Sequence, residues 1–356
     1  MAENSCTPQS RAGQEEQGSK PGRAKQVLEM MHAYQPACVL AAAVDHDLFN
    51  HLAQLKGRST AAKISKQLGV DLRGITILLD ALVAINLLSK EGEFYVLEPD
   101  VAEVLTDGGS RSVLPMVQHQ ANCLRRWSRL PWVVKTGQLQ REPSIRGEAA
   151  DTAAFIGAMH VISKPNADVV VSRLGPFSFK HLLDVGGASG TWTVAFLKAN
   201  PATTATATIF DLSEVIPMAR DRMAAAGLAD RVRLVSGNFY VDALPSGGID
   251  GDIDYVWLSA IAHQNSREQN RQLFGKIRDA LSPGGTLAIR DIVMDEDHVY
   301  PPGGAMFAVN MLAGTDGGGT YSFNDYREDL EAAGFVDVQL VYRDEWMDSL
   351  IRATRQ

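Results

Sequence analysis

Cysteine is scarce in this chain of 356 residues: Cys6, Cys38 and Cys123 are widely spaced, with no C-x-x-C pair. That spacing excludes a disulfide framework and a thiolate zinc pattern, and it fits a reducing compartment. Long apolar runs are lacking too. The longest early one, Ala37–Val44, falls far short of the ~20 residues a membrane helix needs. The opening MAENSCTPQSRAGQEEQGSKPGRAKQ has no apolar segment of signal-peptide length and is rich in Gln, Glu, Ser, Gly and Pro, so residues 1–22 are expected to be a disordered tail. Positive charge is in deficit: 34 Lys+Arg against 42 Asp+Glu leave a net charge of −8. Phosphate binding needs basic surface, so no nucleic-acid partner is expected. No G-x-x-x-x-G-K-[ST] occurs, which argues against a phosphate-loop nucleotidase. A soluble, cytoplasmic protein with no membrane segment is the expectation.

What is present divides into three parts: 23–110, 111–178 and 179–356. In the first, STAAKISKQLGVDLRGITILLDAL reads as two helices, with Ile64 and Leu68 four apart, Gly69 as the break, and Ile75, Leu78, Leu79 and Leu82 at helical spacing. LLSKEGEFYVL then reads as two strands about a turn at Glu91-Gly92. The unit is a winged helix–turn–helix. Its second helix is mostly apolar and carries one arginine, so packing or dimerisation is the expected role rather than base reading. The second part is mainly helical and carries His119, Trp127, Trp132, Met159 and His160. LGPFSFKH marks the boundary to the third.

From His181 onward, apolar strands alternate with helices, which predicts an α/β fold, a mostly parallel sheet covered on both faces with ligands beyond its carboxyl edge. After the first strand comes the turn DVGGASG, Asp184 to Gly190, where glycine allows a tight bend and close approach of a ligand to the backbone. Asp211 ends the next strand, 21 residues past Gly190. An acid there can accept hydrogen bonds from both hydroxyls of a ribose. Together they point to a nucleoside-containing cofactor. His263 in LSAIAHQNSREQN lies just past another strand, and Ser266-x-x-Gln269 behind it is a capping box. The acidic run DEDH, Asp295 to His298, is read as a solvated turn, and no metal site is expected.

The series LLDVGGASGTW, FDLSEVI, VSGNFY, LSAIAHQNSREQN and ALSPGGTLAIRD resembles the S-adenosylmethionine-dependent small-molecule O-methyltransferases of plants and of bacterial antibiotic and pigment tailoring. The resemblance spans nearly the whole chain. It implies a Rossmann-like seven-stranded class I methyltransferase domain behind a winged-helix dimerisation domain, a homodimer, and S-adenosylmethionine as cofactor. On matching positions, Asp184, Gly186, Gly187 and Gly190 would cradle the methionine part. Asp211 would hold the ribose and Leu212 the adenine. Asn238 and Phe239, in a segment that reads G-D-F-F in the family, would also touch adenine, and Ser163 and Ser259 would contact the cofactor. Met159, Phe307, Asn310 and Met311 would line the pocket of a small-molecule acceptor. His263 would be the general base for a hydroxyl, with Asp291, 28 positions later, as its partner.

Besides Asn238, which stands in place of the family's Asp, three departures from the family pattern bear on the base. Gln264 and Asn265 replace its Asp-Trp, and Thr320 stands where a second acid is expected, leaving His263 one carboxylate. A sulfur, nitrogen or carbon acceptor therefore remains an alternative, as does a non-catalytic cofactor-binding regulator.

Overall fold

The computed structural model describes residues 22–140, 143–249 and 251–356. Of the expected tail, all but Gly22 lies outside them. In the N-terminal unit Thr60 caps helix Ala61–Leu68, its hydroxyl accepting from the Lys63 amide at 3.3 Å. Gly69 ends that helix in the left-handed region at φ +66°. Asp71 caps helix Leu72–Ala84 through the Gly74 amide at 2.6 Å. Ile64, Ile75, Leu79 and Leu82 are buried in one core. The wing has three strands rather than the two read from the sequence, because Arg58–Thr60 pairs with Phe94–Val96 opposite Ser89–Glu91.

Helices Arg23–His32 and Tyr34–Asp45 meet at Ala33, whose φ of −61° and ψ of −19° are still helical. Residues 23–45 thus form one stretch long and apolar enough, by composition, to cross a membrane, which a count limited to Ala37–Val44 missed. Ala43 and Val44 at its end pack into the N-terminal core. Helix Arg23–His32 buries nothing and exposes Val27, Leu28, Met30 and Met31.

The C-terminal sheet has seven strands: β1 His181–Val185, β2 Thr206–Asp211, β3 Val232–Ser236, β4 Ile253–Ser259, β5 Leu281–Asp291, β6 Phe335–Tyr342 and β7 Ser349–Arg355. Their order is β6-β7-β5-β4-β1-β2-β3, with β7 antiparallel to its neighbours. All five residues of β1 are buried, as both faces carry helices. One face packs Leu183, Val256, Phe274 and Leu330; the other packs Leu182, Phe196, Trp192 and Trp257. Strand order reverses at β1, whose neighbours are β2 and β4. Such a switch opens a crevice at the carboxyl ends, between the turns after β1 and β4.

One helix was not read from the sequence, and Val293–Met294, read as the end of the fifth strand, forms a separate strand. Helix Pro302–Gly314 follows β5, and Val293–Met294 pairs with Tyr321–Ser322 in a parallel two-strand ladder. The helix spreads its apolar residues around its whole circumference, and the ladder is two residues long, so neither has a period to detect.

Behind the β4 turn, helix Arg267–Ala280 carries the expected box: Ser266 Oγ accepts from the Gln269 amide at 3.3 Å and Gln269 Oε1 from the Ser266 amide at 2.8 Å. Ser266→Ala is expected to cost about 1 kcal/mol. Urea unfolding measures it, and an unchanged midpoint would refute the cap's contribution.

Candidate active site

After β4 the chain makes one 3-10 turn, Ala262–Gln264, which holds His263 at the carboxyl edge with 5% exposure. His263 Nδ1 lies 2.7 Å from Asp291 Oδ1, at the end of β5. The same carboxylate accepts the His263 amide at 3.2 Å and the Ile292 amide at 2.8 Å, so it is fixed from three sides. An Nδ1–H directed at a carboxylate leaves Nε2 as the nitrogen with a free lone pair. No hydrogen-bond partner for Nε2 occurs among the described residues. The Phe307 ring stands perpendicular to the imidazole at 4.9 Å.

Arg290, next to Asp291, does not pair with it. Successive strand residues point to opposite faces, and Arg290 instead bonds Asp348 at 2.6 Å, lies over the Trp192 ring at 4.7 Å and donates to Ser259 Oγ at 3.2 Å. Burial lowers the Arg290 pKa, and Asp348 opposes the shift. Thr320 does not reach His263: its hydroxyl donates to the Gly304 carbonyl at 3.4 Å.

Across the crevice, the glycine turn meets the β4 turn. A Cβ on Gly186 would sit 2.8 Å from Ile261 Cδ1, at φ +67°, and one on Gly187 would sit 2.8 Å from Asp184 Cγ. Bare backbone is therefore required here. Ala188, in a glycine-like slot, takes φ +48° and donates its amide to Asp211 Oδ2 at 2.7 Å. Asp211 Oδ1 accepts from the Leu212 amide, also at 2.7 Å. Each oxygen keeps lone pairs for further donors, and burial raises the Asp211 pKa. Leu212 is 39% exposed beside it, and Asn238 and Phe239 are half-buried on the next turn. A carboxylate beside apolar groups and a glycine-rich turn fits a nucleoside joined to an amino-acid tail. Asp184 lies beneath the turn at 1% exposure, accepting from Thr193 Oγ1 at 2.6 Å, and burial raises its pKa to about 7.

Ser163 is buried at the end of helix Glu148–Ser163, and Met159 is half-buried one turn earlier. Met311 is buried on helix Pro302–Gly314, and Asn310 Oδ1 accepts from Trp127 Nε1 at 2.9 Å, joining that helix to Leu114–Trp127. His160 is engaged on both nitrogens, by Thr191 Oγ1 at 2.8 Å and Arg222 Nη1 at 2.8 Å; burial, then Arg222, lowers its pKa to about 4. His119 packs against Phe155, with ring centroids 5.1 Å apart, and sits 3.6 Å from Cys123 Sγ. Of the acidic run, Asp295 pairs with Arg343 and Glu296 accepts from Ser322 Oγ at 3.0 Å. Among the described residues, no three His, Cys, Asp or Glu side chains are grouped to hold a metal ion. Sequence reasoning missed Asn270 and Tyr321, which brace the turn carrying His263; no motif marks either.

Residues 143–336 match the family model of the O-methyltransferase domain, and residues 28–107 that of the O-methyltransferase dimerisation domain. Among curated proteins, the chain is 29% identical over 321 residues to the tetracenomycin polyketide synthesis 8-O-methyl transferase TcmO of Streptomyces glaucescens, covering 88% of this chain and 91% of that one. It is 29% identical over 308 residues to the 3-hydroxy-5-methyl-1-naphthoate 3-O-methyltransferase of Streptomyces sahachiroi, covering 85% and 86%. Among solved structures, human N-acetylserotonin methyltransferase in complex with SAM superposes with a TM-score of 0.73 at 22% identity, covering 95% and 99%.

The raised pKa of Asp184 has a consequence for stability. The folded protein keeps a proton that the unfolded chain, with an ordinary aspartate pKa of about 3.8, gives up. Asp184 therefore favours the folded state fully below about pH 4, and that contribution is lost as pH rises through about 7. Asp184→Asn should gain stability relative to the parent as pH climbs across this window, read from urea midpoints. A constant difference would contradict the raised pKa.

Proposed function

The chain belongs to the O-methyltransferase family and is a methyltransferase that takes its methyl group from S-adenosylmethionine, and we propose that the acceptor is a hydroxyl on a small, flat molecule, deprotonated by His263. The observation that carries this is the 2.7 Å contact of His263 Nδ1 with Asp291 Oδ1, which leaves Nε2 free at the carboxyl edge. S-adenosylmethionine, when bound, supplies a methyl carbon made electrophilic by its sulfonium. His263 Nε2 takes the proton from the acceptor oxygen as that oxygen attacks. Asp291 holds the ring in the required tautomer and stabilises the imidazolium that results. Burial of His263 and the Phe307 ring beside it keep water from competing for the base.

Asp211 would accept the ribose hydroxyls, Leu212, Asn238 and Phe239 would flank the base, and Gly186, Gly187 and Gly190 would lie against the methionine part, with Ser163 and Ser259 near it. Asp184 supports the turn from below. Met159, Phe307, Asn310 and Met311 would form the acceptor pocket; thioethers and aromatic rings suit a planar molecule, and the names of the naphthoate and tetracenomycin relatives agree with that class. The assembly that fits is a soluble cytoplasmic homodimer: the dimerisation domain is present, and Val27, Leu28, Met30 and Met31 form an uncovered apolar face. The helix–turn–helix serves packing, since the second helix spends Ile75, Leu79 and Leu82 on the core.

His263→Ala should abolish transfer to small phenols while calorimetry still finds cofactor binding; near-parental turnover would sink the base assignment. Asp291→Asn keeps the shape but loses the tautomer control, with an expected fall in kcat of about 10²- to 10⁴-fold. Asp211→Ala should weaken cofactor binding at least ten-fold, roughly the worth of one charge-assisted hydrogen bond; an unchanged Kd would refute its role. Met31→Glu should convert the dimer to monomer by light scattering, and a persistent dimer would place the interface elsewhere.

A further inference from the structure

Two departures from the family pattern meet in space. Asn265 occupies the place of the family's tryptophan, and Tyr240 the place of the second phenylalanine in G-D-F-F. Tyr240 Oη donates to Asn265 Oδ1 at 2.6 Å. Asn265 is 0% exposed, and its other polar groups are spent on the turn that carries His263. Its Nδ2 donates to Asn270 Oδ1 at 3.0 Å, Asn270 Nδ2 donates to the Ala262 carbonyl at 2.9 Å, and the Tyr321 hydroxyl donates to the Asn265 carbonyl. Ala262 and Asn265 bracket His263, so the turn is gripped at both ends.

At the other end of the bridge, Tyr240 belongs to a turn that is itself rigid. Asn238 Oδ1 accepts the Tyr240 amide at 2.9 Å, and Asp242 Oδ2 accepts the Asn238 amide at 2.7 Å. Lys276 Nζ donates to the carbonyls of Phe239, Tyr240 and Asp242 at 2.8, 3.1 and 2.9 Å. The Tyr240 and Phe239 rings pack with centroids 4.6 Å apart. This turn follows β3, while the turn of His263 follows β4, three positions away in the sheet order. At ~4.8 Å per strand, the strand ends stand roughly 14 Å apart, too far for ladder bonds between them.

We propose that the Tyr240–Asn265 hydrogen bond couples the cofactor-side turn to the base turn, making Tyr240 and Asn265 positioning residues for methyl transfer. The proposal rests on His263 as base. Loss of the hydroxyl leaves a buried amide oxygen without its donor and lets the base turn drift from the nucleoside side, and in-line attack is sensitive to displacements of about 1 Å.

The test uses the whole 356-residue chain carrying Tyr240→Phe, Asn265→Ala, or both. Tyr240→Phe should lower kcat at saturating donor and acceptor about ten-fold, with the Kd for S-adenosylhomocysteine changed less than about two-fold. In ligand-free protein it should also speed amide hydrogen exchange at residues 262–265. The double variant should be no slower than the worse single one, the non-additivity expected of coupled partners. Unchanged kcat with unchanged exchange at 262–265, even alongside a lower Tm, would overturn the proposal, and so would additive losses. If Asn265→Ala does not fold, the Tyr240→Phe kinetics and exchange decide alone. Activity surviving in His263→Ala would sink the base reading and leave the exchange result standing, so the two failures are distinguishable.

Discussion

The hydrogen bond between His263 Nδ1 and Asp291 Oδ1 is the constraint around which the carboxyl edge is arranged. It needs two parallel strands to end side by side, β4 and β5, with a single 3-10 turn bringing the ring back over the neighbouring strand end. It also needs the period-two alternation of β5 to send Asp291 to one face and Arg290 to the other. Arg290 then finds Asp348 and Trp192, so neither charge is buried unpaired. A shift of one residue in β5 would exchange the two side chains and put a cation against the His263 ring in place of the carboxylate.

The same logic explains why polar groups are so densely placed here. A buried carboxylate is tolerated only when donors satisfy it, and Asp291 takes the imidazole and two backbone amides. Asn265, Asn270 and Tyr321 have a comparable role for the turn itself. Where the family pattern has a tryptophan, this chain has an amide, and its neighbours supply the partners an amide demands. Opposite, the glycine turn does the reverse: Gly186 and Gly187 leave no room for a Cβ against Ile261 and Asp184, while Asp211 is satisfied by the Ala188 and Leu212 amides.

Much of this was legible before any coordinates. The apolar strands, the glycine turn, the acid ending β2 and the capping box at Ser266 each follow from local rules of period, turn chemistry and capping, and the spacing of Asp291 from His263 from the family resemblance. Helix Pro302–Gly314 and the short Val293–Met294 ladder were not, since an evenly apolar helix has no stripe and a two-residue strand no alternation. The third wing strand, Arg58–Thr60, exists only through its pairing with Phe94–Val96.

By itself the sequence determined the order of the strands and helices and the position of the glycine turn, because each depends on residues near one another or on a fixed period, while His263 and Asp291 were singled out by the family resemblance. Tertiary structure decided which partners those residues have. Arg290 belongs to Asp348 rather than Asp291, the Thr320 hydroxyl bonds the Gly304 carbonyl rather than His263, His160 is held by Thr191 and Arg222, and Tyr240 reaches Asn265. These pairings are set by strand order and helix packing, which bring together residues that no local rule of the chain connects.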